Sequence, residues 1–185
     1  GQTIINNVII PNHHIIGTAG KGYENLFSGL VAERDTIIGS RLGISWLAMI
    51  STLMYTNLRE QFKKKIYSYQ AVSFPLNELF TELMAATALA FTTGTEYRKM
   101  VKHPDYKFIR YNAGFSSGTK SLCAQLAHKI TYEAQLLCGG IGYTDNLKID
   151  KAVEVGRIQE IIGGSRNIQT YLISHIVKEM MKYID

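Results

Sequence analysis

Cysteine is scarce in this chain: Cys123 and Cys138 are the two among 185 residues. That excludes a disulfide scaffold and fits a reducing compartment. Charge is sparse as well. Lys and Arg number 20, Asp and Glu 15, so charged residues make up 19% and the net charge is +5. With 46% apolar residues the chain is neither a disordered tail nor a coiled-coil rod. No uncharged apolar stretch reaches the ~18 residues needed to cross a membrane. The N-terminus lacks the basic region and apolar run of a signal peptide. His13-His14 has no carboxylate or thiol at metal-ligand spacing, which argues against a metal site, and His103, His128 and His175 are isolated. No Ser-His-Asp or Walker-type pattern, internal repeat or low-complexity tract is present. A starting Met is missing too. The chain opens on Gly1-Gln2, which reads as a piece of something longer.

What is there is mostly helical in pattern. A compact fold of this length buries roughly 70% of the extended chain's surface, enough for one core and not two. Residues 3–10, T-I-I-N-N-V-I-I, are rich in β-branched side chains and stop at Pro11, which predicts one strand. A lone strand lacks a ladder partner here, so its backbone groups belong to a sheet outside this chain. A long helix is expected over 21–58, broken near Gly29. Ile38, Leu42, Trp46, Met49 and Leu53 recur at three and four. Ile37, Ile44, Leu47, Ile50 and Met54 make a second apolar face, predicting deep burial. A second helix starts between Gln70 and Pro75, with Pro75 in its first turn. Its stripe is Val72, Leu76, Leu79, Phe80, Leu83, Met84, Ala90 and Phe91, ended by Gly94 and then Lys102-His103-Pro104.

A third helix covers 106–137, with Ile109, Leu122, Leu126, Ile130 and Leu137 inward. Small residues at Ala113, Gly114, Ser117 and Gly118 allow close approach of a neighbour. A short helix follows at 148–155. The last starts at the N-cap Ser165 and runs through Ile168, Leu172, Ile176, Met180 and Ile184. Long helices with short connections predict an all-α, antiparallel four-helix bundle.

Several short patterns invite chemistry, and each has a plainer reading. Gly163-Gly164-Ser165-Arg166 before the last helix has the makings of a phosphate cradle, yet alone it reads as a capped helix start. Gly139-Gly140-Ile141-Gly142-Tyr143 follows no strand, so it is no dinucleotide fingerprint; it reads as a helix stop with left-handed Gly. Glu33-Arg34-Asp35 interrupts an apolar stretch. A buried Glu33 would have a raised pKa and suit a general base near neutrality, but a hydrated or ion-paired patch explains it too. Residues 59–65, R-E-Q-F-K-K-K, form a basic loop able to meet phosphates, or simply a solvated one.

The order of these signals is more specific than any one. G-K-G-Y-E-N-L-F-S-G-L-V-A-E-R (20–34) is followed by R-E-Q-F-K (59–63), Y-Q-A-V-S-F (69–74), L-L-C-G-G-I-G-Y-T (136–144) and I-I-G-G-S-R-N-I-Q (161–169). Over nearly its whole length the chain resembles the C-terminal half of an acyl-CoA dehydrogenase. The resemblance implies a helical bundle closing one side of an FAD and acyl-CoA site, the rest coming from two preceding domains. It makes residues 1–19 the end of a β-barrel domain and linker, and 20–185 the helical domain.

Most members of that family take their catalytic base from a Glu just before the last helix. Here that position is Gly163. A minority, the isovaleryl- and long-chain-like enzymes, use the Glu of an Ala-Glu-Arg segment in the first long helix, which here is Glu33. The resemblance thus implies that Glu33 abstracts the α-proton of an acyl-CoA, with hydride passing to FAD. It places Arg59, Gln61, Phe62 and Gln70 at the FAD, commonly that of a neighbouring subunit. Gly139 and Gly140 fall beside the pyrophosphate-adenine portion and Ser165 at the flavin nucleotide. Arg34, Gly163 and Gly164 fall at the acyl-CoA. An electron-transfer acceptor protein and a homodimer or homotetramer are the implied partners, in the cytoplasm or a mitochondrial matrix. Five positions depart from the family pattern: Lys63 for Gly, Val31 for Asp, Leu136 for Gln, and Glu154-Val155 for Arg-Asp. These leave a non-catalytic helical interaction module as an alternative. Nucleic-acid binding, known for one relative, finds little support in a charge clustered only at 59–65.

Overall fold

The computed structural model describes residues 1–102 and 106–182, and of 106–110 the backbone alone. Five α-helices account for most of it: α1 (Gly22–Leu58), α2 (Gln70–Lys102), α3 (Tyr106–Cys138), α4 (Ile149–Ile158) and α5 (Arg166–Met181). A small hairpin, β1 (Glu60–Gln61) and β2 (Lys64–Lys65), joins α1 to α2, pairing Glu60 with Lys65 and Gln61 with Lys64.

Side-chain contacts give the direction of each helix. Ser116 meets Asp35 and Cys138 meets Thr52, so α1 and α3 run the same way. Glu82 meets Lys129 and Thr93 meets Thr119, so α2 runs against α3 and hence against α1. Gly114 packs on Ile176 and Gly118 on Ile173, so α5 opposes α3. Gly156 of α4 lies against Ala127 and Thr131, and Gly164 lies beside Lys120, so α4 leads into α5 along one edge. The result is the expected bundle, with α4 and α5 sharing the fourth position.

The core lies among α1, α2 and α3, with α4 closing one side. Ile38, Met49, Leu76, Leu79, Leu83, Leu126, Ile130 and Ile149 are buried, each contributing about 1.5–3 kcal/mol of hydrophobic stabilisation. Buried hydroxyls are satisfied locally: Thr52, Thr56, Thr93 and Thr131 each donate to the carbonyl four residues back. A β-carbon on Gly114 would overlap Ile176, so this small residue sets the α3–α5 approach.

Several local expectations are corrected. Residues 3–10 form no strand and lie exposed, because an isolated strand has nothing to pair with inside this chain. α1 passes Gly29 and α2 passes Gly94 without a break, since packing along long helices outweighs the ~1 kcal/mol cost of one Gly. Pro75 sits one turn inside α2, not at its start. The second apolar face of α1 is not buried: Leu47, Ile50 and Met54 are exposed. Leu122, expected inward, is exposed, and Cys123 takes the core position beside it. The breaking residues His103 and Pro104, the side chain of Ile109, and Ile184 lie outside the described residues.

By length and composition α1 is apolar enough to cross a membrane, although Arg41 and Arg59 keep its longest charge-free run to 42–58. Yet it packs against α2, α3 and α4, and its inward positions include Arg34, Arg41, Ser45, Thr52 and Thr56. Polar groups turned toward partner helices and apolar ones toward the outside fit a central bundle helix with a further surface to cover.

Candidate active site

The predicted residues fall into two groups. The first lies where the N-terminal third of α1 meets the turn before α5. Glu33 is exposed, and its Oε1 lies 3.8 Å from the place a β-carbon on Gly163 would occupy. Gly163 and Gly164 have φ of +67° and +101°, left-handed values that favour glycine. Ser165 takes the N-cap position of α5 but its hydroxyl makes no capping bond. It is exposed, leaving the hydroxyl and the first N–H groups of α5 facing outward.

Arg34, next along α1, is buried, and its Nε donates to the Gly163 carbonyl at 3.4 Å. The Arg34 side chain is therefore turned to the turn's backbone and away from solvent. Burial pulls its pKa below the usual arginine value, opposed by the charges of Glu33 and Asp35. Asp35 points into the bundle, where Ser116 donates to its Oδ1 at 2.7 Å. Its other oxygen is buried without a hydrogen-bond partner, and burial pushes its pKa up.

Three further side chains hold the same turn, and sequence reasoning gave them no role. Arg41, fully buried, donates to the carbonyls of Gln159 (2.8 Å) and Ile162 (3.3 Å). Lys120, from the middle of α3 and 1% exposed, donates to the Gly164 carbonyl at 2.6 Å. Gln169, the first inward residue of α5, donates to the carbonyls of Gly163 and Gly164 at 3.0 and 2.9 Å. Burial lowers the Arg41 pKa to about 10. Burial and the nearby charges of Arg41 and Arg34 lower that of Lys120 to about 8. A sequence signal existed: Lys120 lies on the helical stripe of Ser116, Cys123 and Ala127, all buried, where an unpaired cation is rare.

The second group lies at the far end of α1. Arg59 caps α1, Gln61 and Phe62 lie in the hairpin, and Gln70 opens α2; all four are exposed. Phe62 and Lys63 have φ of +52° and +64°, the pair of left-handed values a two-residue hairpin needs. Tyr69 donates its hydroxyl to the Gln61 carbonyl and so ties the hairpin to the start of α2. Gly139 and Gly140 follow α3 at this same end, because α3 runs parallel to α1. Gly139 has φ +62°, the expected helix stop. Both are exposed, and a β-carbon on either would meet nothing within 4 Å. At 1.5 Å per residue, Glu33 and Arg59 stand about 39 Å apart along α1.

The two cysteines are buried and free. Burial raises the Cys123 thiol to about 11 and raises Cys138 as well, so neither is a nucleophile at neutral pH. Among the described residues no group of His, Cys, Asp and Glu is placed to hold a metal ion.

Comparison with known proteins defines the class. The model of the acyl-CoA dehydrogenase C-terminal domain matches residues 20–178, and the chain belongs to that family. It is 29% identical over 168 residues to the probable acyl-CoA dehydrogenase FadE25 of Mycobacterium tuberculosis, covering 91% of this chain and 41% of the relative. It is 26% identical over 181 residues to a probable short/branched chain specific acyl-CoA dehydrogenase of Dictyostelium discoideum, covering 98% and 41%. The chain thus spans about two fifths of the length of these relatives. The fold matches butyryl-CoA dehydrogenase of Megasphaera elsdenii with a TM-score of 0.81 at 23% identity, over 91% of this chain and 42% of that one. It also matches a structure of PigA with FAD and proline, with a TM-score of 0.84 at 19% identity, over 94% and 43%.

Proposed function

We propose that this chain is the C-terminal helical part of a flavin-dependent acyl-CoA dehydrogenase in which Glu33 removes the α-proton of an acyl-CoA thioester. The observation that carries the reading is the exposed Glu33 carboxylate lying against Gly163. Gly163 has no side chain to compete for that space, and this is the pairing that the resemblance associates with family members whose base is borne on the first long helix. Glu33 is anchored on a rigid helix and reaches the mouth of the site, as a general base must.

The exposed polar and small residues of both groups suit a flavin nucleotide. Ser165 offers a free hydroxyl at a helix N-terminus, and Gly139 and Gly140 leave room for close backbone approach. Arg59, Gln61, Phe62 and Gln70 supply a cation, two amides and an aromatic face. The distance from Glu33 to this second group is more than one dinucleotide spans. That supports a reading in which the hairpin end serves the FAD of a neighbouring subunit. When bound, FAD would supply the redox chemistry by accepting the hydride; the chain supplies base, orientation and exclusion of water.

The exposed ladder Leu47, Ile50, Met54 and Leu58 on α1 supports a homodimer or homotetramer built through the bundle. An acyl-CoA, an electron-transfer acceptor protein and a cytoplasmic or matrix location complete the proposal. Residues 1–19 would be the end of a preceding β domain and its linker. Arg34, being buried, acts on the turn and not on the acyl-CoA directly.

The test is Glu33→Gln in the complete, FAD-loaded protein. Turnover with an acyl-CoA should fall by about 10² to 10⁴, the range for losing a general base, while the flavin absorbance persists. Unchanged turnover would remove Glu33 from the reaction. Absence of acyl-CoA turnover in the complete FAD-loaded wild type would favour the non-catalytic module.

A further inference from the structure

The turn from Gln159 to Gly164 is a dense meeting point of buried cations. Its carbonyls at 159, 162, 163 and 164 accept from Arg41, Arg34 and Lys120, which come from two different helices. Part of this is ordinary helix chemistry. The turn contains the C-terminal end of α4, where unpaired carbonyls and the helix dipole attract positive charge. Arg41, on the carbonyls of Gln159 and Ile162, serves that end. Lys120 is the cation that needs a separate explanation. It is buried, it sits beside the like charges of Arg34 and Arg41, and it bonds not to the end of α4 but to Gly164 beyond it. A buried ammonium near two guanidinium groups is costly. A Met or Leu would fill the same space on the α3 stripe without that cost.

We propose that Lys120 is a positioning residue, which pins the Gly163–Gly164 turn against Glu33 and so fixes the wall on which the carboxylate rests. The proposal deepens the acyl-CoA reading of this site and rests on it. Three geometric facts lead there. The 2.6 Å contact ends on the carbonyl adjoining the residue that faces Glu33. Both glycines hold left-handed φ values that a free chain would leave readily. Gln169, which also grips these carbonyls, comes from α5 itself and moves with the turn. Among the described residues, Lys120 and Arg34 are the side chains that tie the two glycine carbonyls to the other helices.

The charged groups facing Lys120 are Arg34, Arg41 and Glu33 from α1 and Glu160 from the turn after α4. Arg166 of α5 shares a small cleft with it. The cations around Lys120 favour loss of its proton as pH rises, while Glu33 and Glu160 oppose that loss. The grip therefore weakens in the mildly alkaline range, before Arg41 titrates.

The experiment is hydrogen exchange of the Ile162 and Gln169 amides, which flank the glycine pair and are bonded to the carbonyls of Ile158 and Ser165, together with steady-state kinetics, in the complete FAD-loaded protein carrying Lys120→Met or Lys120→Arg. In Lys120→Met these amides should exchange about tenfold faster or more, the scale of one lost charged hydrogen bond, with α1 and α2 unchanged. kcat should fall roughly tenfold or more, as for a displaced base, with KM little altered. Lys120→Arg should restore slow exchange. In wild type, exchange corrected for its intrinsic pH dependence should quicken above about pH 8, and Lys120→Arg should lose that limb. Unchanged exchange in Lys120→Met, or faster exchange spread equally over α1 and α3, overturns the proposal. If Lys120→Met does not fold, an alkaline limb persisting in Lys120→Arg overturns it and a lost limb supports it. If the turn loosens as expected while Glu33→Gln keeps full turnover, the pinning stands and the acyl-CoA role of Glu33 falls.

Discussion

Glu33 and Gly163 share one space: the Glu33 Oε1 lies 3.8 Å from where a β-carbon on Gly163 would stand. The two places from which acyl-CoA dehydrogenases draw their base are here neighbours across a narrow gap. A carboxylate at either position reaches the same region, and carboxylates at both would repel.

The double variant Glu33→Gln with Gly163→Glu should therefore recover turnover at least about tenfold above Glu33→Gln alone, since a relocated base retains part of a 10²- to 10⁴-fold effect. Gly163→Ala, which adds no base, should recover none. It should cost about 1 kcal/mol for its left-handed backbone, because its β-carbon would meet Glu33 and Ile37 only at an ordinary contact distance of 3.8 Å. Steady-state kinetics and thermal melts check the set.

Lys63 stands where the family pattern has Gly, at φ +64° in the hairpin. Lys63→Gly should stabilise the protein by about 0.5–1 kcal/mol, by removing the penalty on a side chain in the left-handed region. Urea titration with an unchanged slope would identify the gain as stability alone.

Glycines inside helices divide by what surrounds them. A β-carbon on Gly156 would lie 2.7 Å from Thr131 Oγ1 and 3.2 Å from the Ala127 carbonyl. Thr131 is held by its own bond to that carbonyl, so neither neighbour yields. Gly156→Ala should destabilise by about 1–3 kcal/mol, overpacking outweighing helix propensity. Gly39 and Gly43 on α1 have nothing within 4 Å. Ala at either should stabilise by about 0.5–1 kcal/mol. Thermal melts that rank these three alike would contradict the packing.

Asp35 carries a pKa raised above its ordinary 3.8, chiefly by burial. A carboxyl shifted upward favours folding fully below the ordinary value, and that contribution is lost as pH rises through the folded value. At neutral pH the buried ion is a burden. Asp35→Asn keeps an acceptor for Ser116 and removes the charge, so it should raise Tm at pH 7 and raise it less near pH 4. An equal effect at both pH values would show that the charge is not what matters.

The bundle was legible because long stripes at three and four specify helices and short links specify antiparallel neighbours. Ile38, Met49, Leu76, Leu83 and Ile130 were read inward and are. Leu47, Ile50 and Met54 lie outward against expectation for a physical reason: periodicity reports apolar faces, not which of two faces meets this chain's own helices. The strand over 3–10 is legible as composition alone, and residues 3–10 stand unpaired here because a strand forms only with a partner, which is expected outside this chain. At the site, Glu33 and Gly163 were each visible, but their adjacency needed the fold. Arg41, Lys120 and Gln169 went unremarked, since an inward polar residue looks like an outward one until the helix is placed among its neighbours.

The parallel course of α1 and α3 puts the hairpin and the Gly139–Gly140 stop at one end of the bundle and Glu33 toward the other. On the proposed reading, each subunit then lends a base to one reaction centre and a flavin contact to another. Damage at the two ends would be separable between chains. A mixed assembly of Glu33→Gln and Phe62→Ala subunits would hold some centres made of two intact halves, and two inactive parents would give an active hybrid.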